Sequence, residues 1–488
     1  MKKIYIGILA FMMTLGSSCS DMLNTVPKDS ISSATFWQSK NDVKLALAGC
    51  YGKLKASSYL SMLKPYLDNM TDIGYGWQSS HSSFSEIKTG LLNPSIGGVV
   101  SNIYNGMYKG VTACYLFLEN FEKNKSSLGY TEEEANQIIA EVRFLKGYFL
   151  FELVQRFGGV VIYDKVPTVA ESIVPQKTQE ESLAYIMKDL DFAIENLPDG
   201  MFKGHVVKNT AKGLKARVAA FMGDWATVKT LTADIIKSET AGKVGLSETY
   251  DPIFIKRLGQ ESCKEIMFTV EYKAPDAKAF YGIEIEGFYW SGLTPEAAFI
   301  SKHEVNDLRV KEWYYKAKNG SYLRPTDNTY FTPRNTTQTG YGCVKFFDKT
   351  NPAKYVLNPN DIITEDNVVL MRYAEILLMY AEAAAELDGG STSDPLAMDA
   401  INRIRMRAQL PEYDGSVTLD QVRQERMVEL AFEGFRWFDI VRWNIADKVL
   451  NGFESAAGTC VFEPHFKLWP FPQSEIDVNT ELVQNPGY

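Results

Sequence analysis

The sequence predicts a mostly α-helical protein, with helix pairs of the tetratricopeptide kind forming a scaffold and a loop-rich region containing short strands. Three observations carry that expectation. Two capping boxes, Thr131 with Glu134 and Thr178 with Glu181, each open a long apolar periodicity of helical spacing. A second helical block follows near the C-terminal end, rich in alanine and in paired arginines and glutamates. Between the blocks, at about 240–366, Gly, Pro, Asn and Thr are frequent and helical periodicity fades, so loops and short strands are expected there.

In chain order, Lys2 and Lys3 precede an apolar run from Ile4 to Leu15, and Gly16, Ser17 and Ser18 lead into Cys19. This pattern is that of a secretory signal. The apolar run is too short for a membrane-spanning helix, which takes about 20 residues. A cysteine directly after the small residues predicts lipoprotein processing, with residues 1–18 removed and lipid on Cys19; ordinary secretion is the alternative. Residues 19–35 then read as a lipidated flexible tether and 36–488 as the folded domain. Loss of residues 1–18 removes two lysines and no acids, so the net charge moves from −9 to −11. A mildly acidic globule without a basic cluster does not point to nucleic acid.

The first helical block spans about 36–238. After Thr131, Ile138, Val142, Leu145 and Phe149 share one face, and Gly158-Gly159 stop the helix. After Thr178, Leu183, Ile186, Leu190, Ile194 and Leu197 form a stripe that Pro198 ends. Alanines 211, 216, 219 and 220 mark a third helix at about 209–222, and a fourth runs from near Trp225 to about Lys237. No strict 34-residue repeat can be read. The second block, about 367–445, divides into helices near 367–387, 394–408, 418–433 and 435–443. Its first member carries Ile376, Leu377, Tyr380, Ala381 and Ala384 inward.

Beyond Cys19 there are five cysteines, Cys50, Cys114, Cys263, Cys343 and Cys460, with no CxxC spacing. They read as scattered buried thiols, without a disulfide framework or zinc site. His81, His205, His303 and His465 have no ligand-like spacing, and His303-Glu304 lacks the second histidine of a metalloprotease helix. No phosphate-binding glycine loop and no G-x-S-x-G elbow is present. The expectation is a binding protein, with no enzymatic activity, cofactor or metal. Calcium stays open, since loop carboxylates such as Asp327 could bind it without an EF-hand pattern.

Sugar rings pack their C–H faces on aromatic rings, and their hydroxyls need short polar partners. Three loop segments have that composition: Tyr75-Gly76-Trp77-Gln78, Phe288-Tyr289-Trp290-Ser291-Gly292, and Tyr322-Leu323-Arg324 with Tyr330-Phe331. Aromatics beside glycine also serve simply to pack over a turn. Trp225, Trp437 and Trp443 lie in helical motifs and are expected in the core.

Several strings resemble the SusD/RagB family of nutrient-binding surface lipoproteins. They are Phe36-Trp37 with Asp42, Ala46 and Gly49-Cys50-Tyr51; Glu141 to Tyr148 with Phe157-Gly158-Gly159; Thr210 to Arg217 with Gly223-Asp224-Trp225; Met371 to Glu375 through Ala383 with Ile401 to Arg405; Glu425 to Asp439 with Arg442-Trp443; and the closing Gln484 to Tyr488. Lys146 and Gly147 depart from the family pattern. These strings read as scaffold, with Arg and Glu satisfying one another inside. The resemblance implies glycan or oligosaccharide capture at the cell surface, on an outer membrane, and delivery to a TonB-dependent SusC-like transporter. It also implies ligand contact from an early loop and the central region, which selects Trp77 and Trp290, then Tyr75, Tyr289 and Tyr322. Peptide uptake of the RagB kind, and a structural transporter partner that binds nothing alone, are the alternatives.

Overall fold

A computed structural model describes residues 36–56, 64–76, 82–163, 165–273, 279–280, 291–318, 321–323, 330–331, 338–351 and 363–488. Residues 1–35, with the predicted signal segment, Cys19 and the predicted tether, therefore lie outside the described residues.

Ten α-helices of seven residues or more occur among the described residues. They are α1 (Lys40–Ala56), α2 (Val99–Asn124), α3 (Glu132–Phe157), α4 (Gln179–Asn196), α5 (Lys208–Met222), α6 (Trp225–Lys237), α7 (Tyr373–Leu387), α8 (Pro395–Arg407), α9 (Leu419–Glu429) and α10 (Arg436–Arg442). Both predicted capping boxes are present: the Thr131 hydroxyl accepts from Glu134 N while Glu134 accepts from Thr131 N, and Thr178 with Glu181 repeats the arrangement. Each satisfies two of the amide groups that a helix start leaves without partners. Gly158 and Leu197 end the two helices where the sequence predicts a stop.

Successive helices pack on one another from α1 to α6, and α7 then packs against α6, with α8 and α9 against α7. The two sequence blocks thus form one array, and the segment between them is an insertion. Two helices are buried nearly all round: α3 from Ala140 onward, apart from half-buried Arg143, and α7 from Tyr373 to Ala385. A helix surrounded on every side belongs to the interior of a layered fold. Close approach has a glycine behind it. A Cβ at Gly110 on α2 would stand 2.7 Å from the Phe149 ring on α3.

The expected helix at 367–387 starts later than its periodicity implies. Residues Val368–Arg372 form a strand paired antiparallel with Ile266–Val270, and α7 begins only at Tyr373. Consecutive Val368, Val369 and Leu370 suit a strand, and the partner strand, fully buried, takes them up. Likewise α9 stops at Glu429 rather than 433, where the chain turns through Phe432 and Gly434, both at positive φ. Trp437 and Trp443 are buried, whereas Trp225 is only half-buried.

The strands up to the start of α7, short as expected, are β1 (Gly74–Tyr75), β2 (Ile266–Val270), β3 (Ala279–Phe280), β4 (Thr294–Pro295), β5 (Tyr314–Lys318), β6 (Ser321–Leu323), β7 (Tyr330–Phe331), β8 (Tyr341–Cys343), β9 (Ile363–Thr364) and β10 (Val368–Arg372); two further two-residue pairs, Ser391–Thr392 with Val417–Thr418 and Glu454–Ser455 with Gly458–Thr459, follow α7. Strands β7-β6-β5-β8 make the one four-stranded sheet among the described residues; β1 pairs with β4 and β3 with β9.

A buried cluster of charges joins the insertion to the helices. Arg372 reaches Glu265 (2.9 Å), Glu429 (2.7 Å) and Glu433 (2.7 Å). Arg407 reaches Glu265 (2.6 Å) and Glu429 (2.7 Å), and Arg309 reaches Asp307, Glu425 and Glu429. Lys345 donates to Glu433 and to the carbonyls of Glu429 and Ala431. Charges so far from water persist only when each is paired and hydrogen-bonded. Arg426 and Arg442 both bond Asp439, so the C-terminal motif charges fix helix packing as the sequence suggests.

Candidate ligand-binding site

The frame begins at a buried turn of helix, Lys64–Met70, whose every residue is covered. Asp68 in it accepts from the backbone N–H groups of Gly434 and Arg436, and Arg436 bonds Asp72 at 2.9 Å. The chain then enters β1, which pairs antiparallel with β4 so that Gly74 faces Pro295 and Tyr75 faces Thr294. The Thr294 hydroxyl donates to Tyr75 O at 2.8 Å. Beyond the paired residues, Asn69 Nδ2 donates to Gly292 O at 2.8 Å. A Cβ at Gly76 would lie 2.6 Å from that same carbonyl oxygen and 2.5 Å from Asn69 Nδ2. Only glycine at position 76 lets the two chain segments come this close.

Buried polar groups lock the frame from beneath. Lys88 Nζ donates to Gly74 O (2.8 Å), Thr71 O (3.3 Å) and Glu296 Oε1 (2.9 Å). Ser85 Oγ accepts from Gly76 N and donates to Gly76 O. Glu296 also accepts from Ser455 Oγ, which brings in the hairpin of Glu454–Ser455 and Gly458–Thr459. Cys343 N of β8 donates to Leu293 O, so the four-stranded sheet abuts the β1–β4 pair.

Two chain segments therefore leave this frame at one end, one after Gly76 and one before Ser291. Trp77 is the next residue after Gly76, and Tyr289-Trp290 immediately precede Ser291 and Gly292. Trp77, Tyr289 and Trp290 lie outside the described residues. Tyr75 is part of the frame, 8% exposed, with Lys88 Nζ 5.9 Å from its ring centre. Burial, with Glu296 nearby, pushes its hydroxyl pKa up. Tyr322 lies on β6, its backbone opposite Phe331 of β7 and Ala317 of β5. Asn69, Ser85, Lys88 and Glu296 were not predicted. Their partners are up to 223 residues away, and no local pattern marks them.

His81 lies outside the described residues, and the other histidines sit among protein partners. His303 is pushed down to about 4 by burial, its Nδ1 stands 3.2 Å from Phe299 O, and the adjacent Glu304 pairs with Arg405. Exposed His205 sits 2.7 Å from Glu141, which also accepts from Tyr51, and the hydrogen bond to Glu141 raises the His205 pKa. Among the described residues, no group of three or more His, Cys, Asp or Glu could hold a metal ion. No helix among them is long and apolar enough to cross a membrane.

Sequence comparison names the class of protein to which this helical array and its bonded strand frame belong. The profile described as SusD family matches residues 286–488, and the profile described as starch-binding associating with outer membrane matches residues 26–221. The chain belongs to the SusD/RagB family. It is 26% identical to SusD-like protein P2 of Formosa agariphila over 530 residues, spanning all of both chains. Its fold matches a SusD-like protein of Bacteroides fragilis with TM-score 0.78 at 24% identity, covering 95% of this chain and 100% of that one. A SusD-like carbohydrate binding protein of the same organism matches with TM-score 0.77 at 22% identity, over 92% and 100%.

Proposed function

We propose that the protein is a lipid-anchored, cell-surface glycan-binding protein of the outer membrane that captures oligosaccharide and delivers it to a TonB-dependent SusC-like transporter, without catalysis. Trp77 and Trp290 would carry the sugar faces, with Tyr289 and Tyr322 beside them and Tyr75 at their root. One observation carries the reading: the Asn69–Gly292 hydrogen bond and the Gly76 contact anchor both tryptophan-bearing segments at one point. The names of the matching profile and of the carbohydrate-binding neighbour support the ligand class, and the predicted signal segment, residues 1–18 directly before Cys19, supports the anchor.

Two or three rings, each covering ~100 Å² of sugar, contribute roughly 2–3 kcal/mol apiece at ~25 cal/mol/Å². Association and ordering remove about half or more of that. The remainder corresponds to Kd values of roughly millimolar to ~10 µM. Capture at this strength is reversible, as delivery requires.

The test is a glycan array and pull-down with the soluble form beginning at Ser20, repeated with Trp77→Ala and Trp290→Ala. Binding of one polysaccharide class, lost in both variants, is expected. Retained binding in both variants overturns the residue assignment. Silence on glycans with binding to peptide mixtures overturns the ligand class. Co-purification with a SusC-like transporter from membranes checks the delivery role.

A further inference from the structure

Helices α1 and α2 pack along a buried seam, and two thiols meet across it. Cys50 of α1 is 2% exposed and Cys114 of α2 is 0% exposed. The Cys50 thiol points at α2, with Sγ 3.6 Å from the carbonyl oxygen of Ala113, the residue preceding Cys114. Cys114 follows Ala113 directly in α2 and is fully buried, and Cys50 acts on its thiol across the seam. Both are free thiols in this structure. The other described cysteines, Cys263, Cys343 and Cys460, belong to the insertion and the C-terminal segment.

We propose that Cys50 and Cys114 are a disulfide-forming pair that closes when the chain folds in oxidising surroundings and staples α1 to α2. A disulfide needs the Cβ atoms brought to about 3.5–4.5 Å, and the packing of α1 on α2 holds the Cys50 thiol beside the backbone that carries Cys114. The oxidant is a disulfide, either of glutathione or of an oxidoreductase. One cysteine thiolate attacks it, forming a mixed disulfide and expelling one oxidant thiolate. The second cysteine thiolate attacks the mixed disulfide, the Cys50–Cys114 bond forms, and the second oxidant thiolate leaves. Two electrons pass to the oxidant, and the two cysteine protons end on its thiols.

Burial raises the Cys114 thiol well above its ordinary value, with Cys50 adding to the shift. Only the thiolate reacts, so closure belongs to the folding chain, before α1 docks on α2 and shuts the seam. Afterwards the same burial shields the bond from reductants. The oxidising compartment follows from the export reading of residues 1–18, while the pairing is a property of the fold and is tested apart from it.

The full chain is refolded once with reduced glutathione alone and once with a reduced/oxidised glutathione mixture. A third sample is the exported protein. Free thiols are alkylated under denaturing conditions and peptides are mapped by mass spectrometry. In the oxidatively refolded chain, the peptides of Cys50 and Cys114 are expected joined and unalkylated, with Cys263, Cys343 and Cys460 alkylated. Reduction should lower the Tm of that sample by on the order of 5 °C, because the bond closes a loop of about 64 residues in the unfolded chain. The Cys50→Ala/Cys114→Ala variant should show no such response to reductant. Full alkylation of both cysteines after oxidative refolding, or linkage of either to a different cysteine, overturns the proposal. Closure on refolding with open thiols in the exported protein upholds the pairing and overturns its closure during export.

Discussion

Glu429 shares its carboxylate among Arg309, Arg372 and Arg407, all buried. Burial alone would raise its pKa, yet these arginines and Lys345 hold it down to about 2. Glu429→Gln leaves cations in the interior with one counter-charge fewer, so a loss of about 3–5 kcal/mol is expected in urea unfolding. Asp68 behaves in the opposite way. Burial pushes it up from 3.8 to about 7, against amide donors from Gly434, Arg436 and Phe432. The folded state therefore keeps a proton that the unfolded chain releases. Its contribution is full below pH 3.8 and is lost as pH rises toward 7, a difference of roughly 4 kcal/mol. Asp68→Asn should flatten the pH profile of the urea midpoint between pH 5 and 7; an unchanged slope there would assign the dependence to other groups.

Among elements, the β1–β4 pair has only two residues in each strand, and its placement depends on Asn69, Gly76 and Lys88. Gly76→Ala puts a methyl group 2.6 Å from Gly292 O and forces the segments apart. Glycan affinity is expected to fall by roughly tenfold or more, or 1.4 kcal/mol, while far-ultraviolet circular dichroism stays unchanged. An affinity equal to wild type would separate ligand binding from this frame. The helices around it were legible because caps are local: Thr131 and Glu134 are three residues apart, and so are Thr178 and Glu181. The frame was not legible. Lys88 and Glu296 are 208 residues apart, and nothing near either announces the other. Strand β10 was misread as helix for the same reason, since its partner β2 is distant in sequence.

Across the whole molecule, helix-on-helix packing runs from α1 to α8 without a break between blocks, and the charge cluster ties Glu265, Arg309 and Lys345 to α8, α9 and the turn after α9. Neither block can dissolve without unpairing buried charges. Calorimetry should therefore record one cooperative transition for residues 20–488; two separated transitions would mean the blocks are energetically independent. The scaffold was readable as a helical architecture, because periodicity reports which face is buried. The aromatic segments were readable as composition only, because the angle between rings depends on contacts across the fold. One consequence reaches into evolution. The Asn69–Gly292 bond and the tight Gly76 contact mark where two stretches of chain leave a closely bonded body. Exchange of residues beyond those points should leave the Asn69, Ser85 and Lys88 contacts of the frame in place. Ligand preference can then drift by loop replacement while the scaffold is inherited intact, and chimeras spliced at Gly76 and Gly292 should fold as readily as either parent.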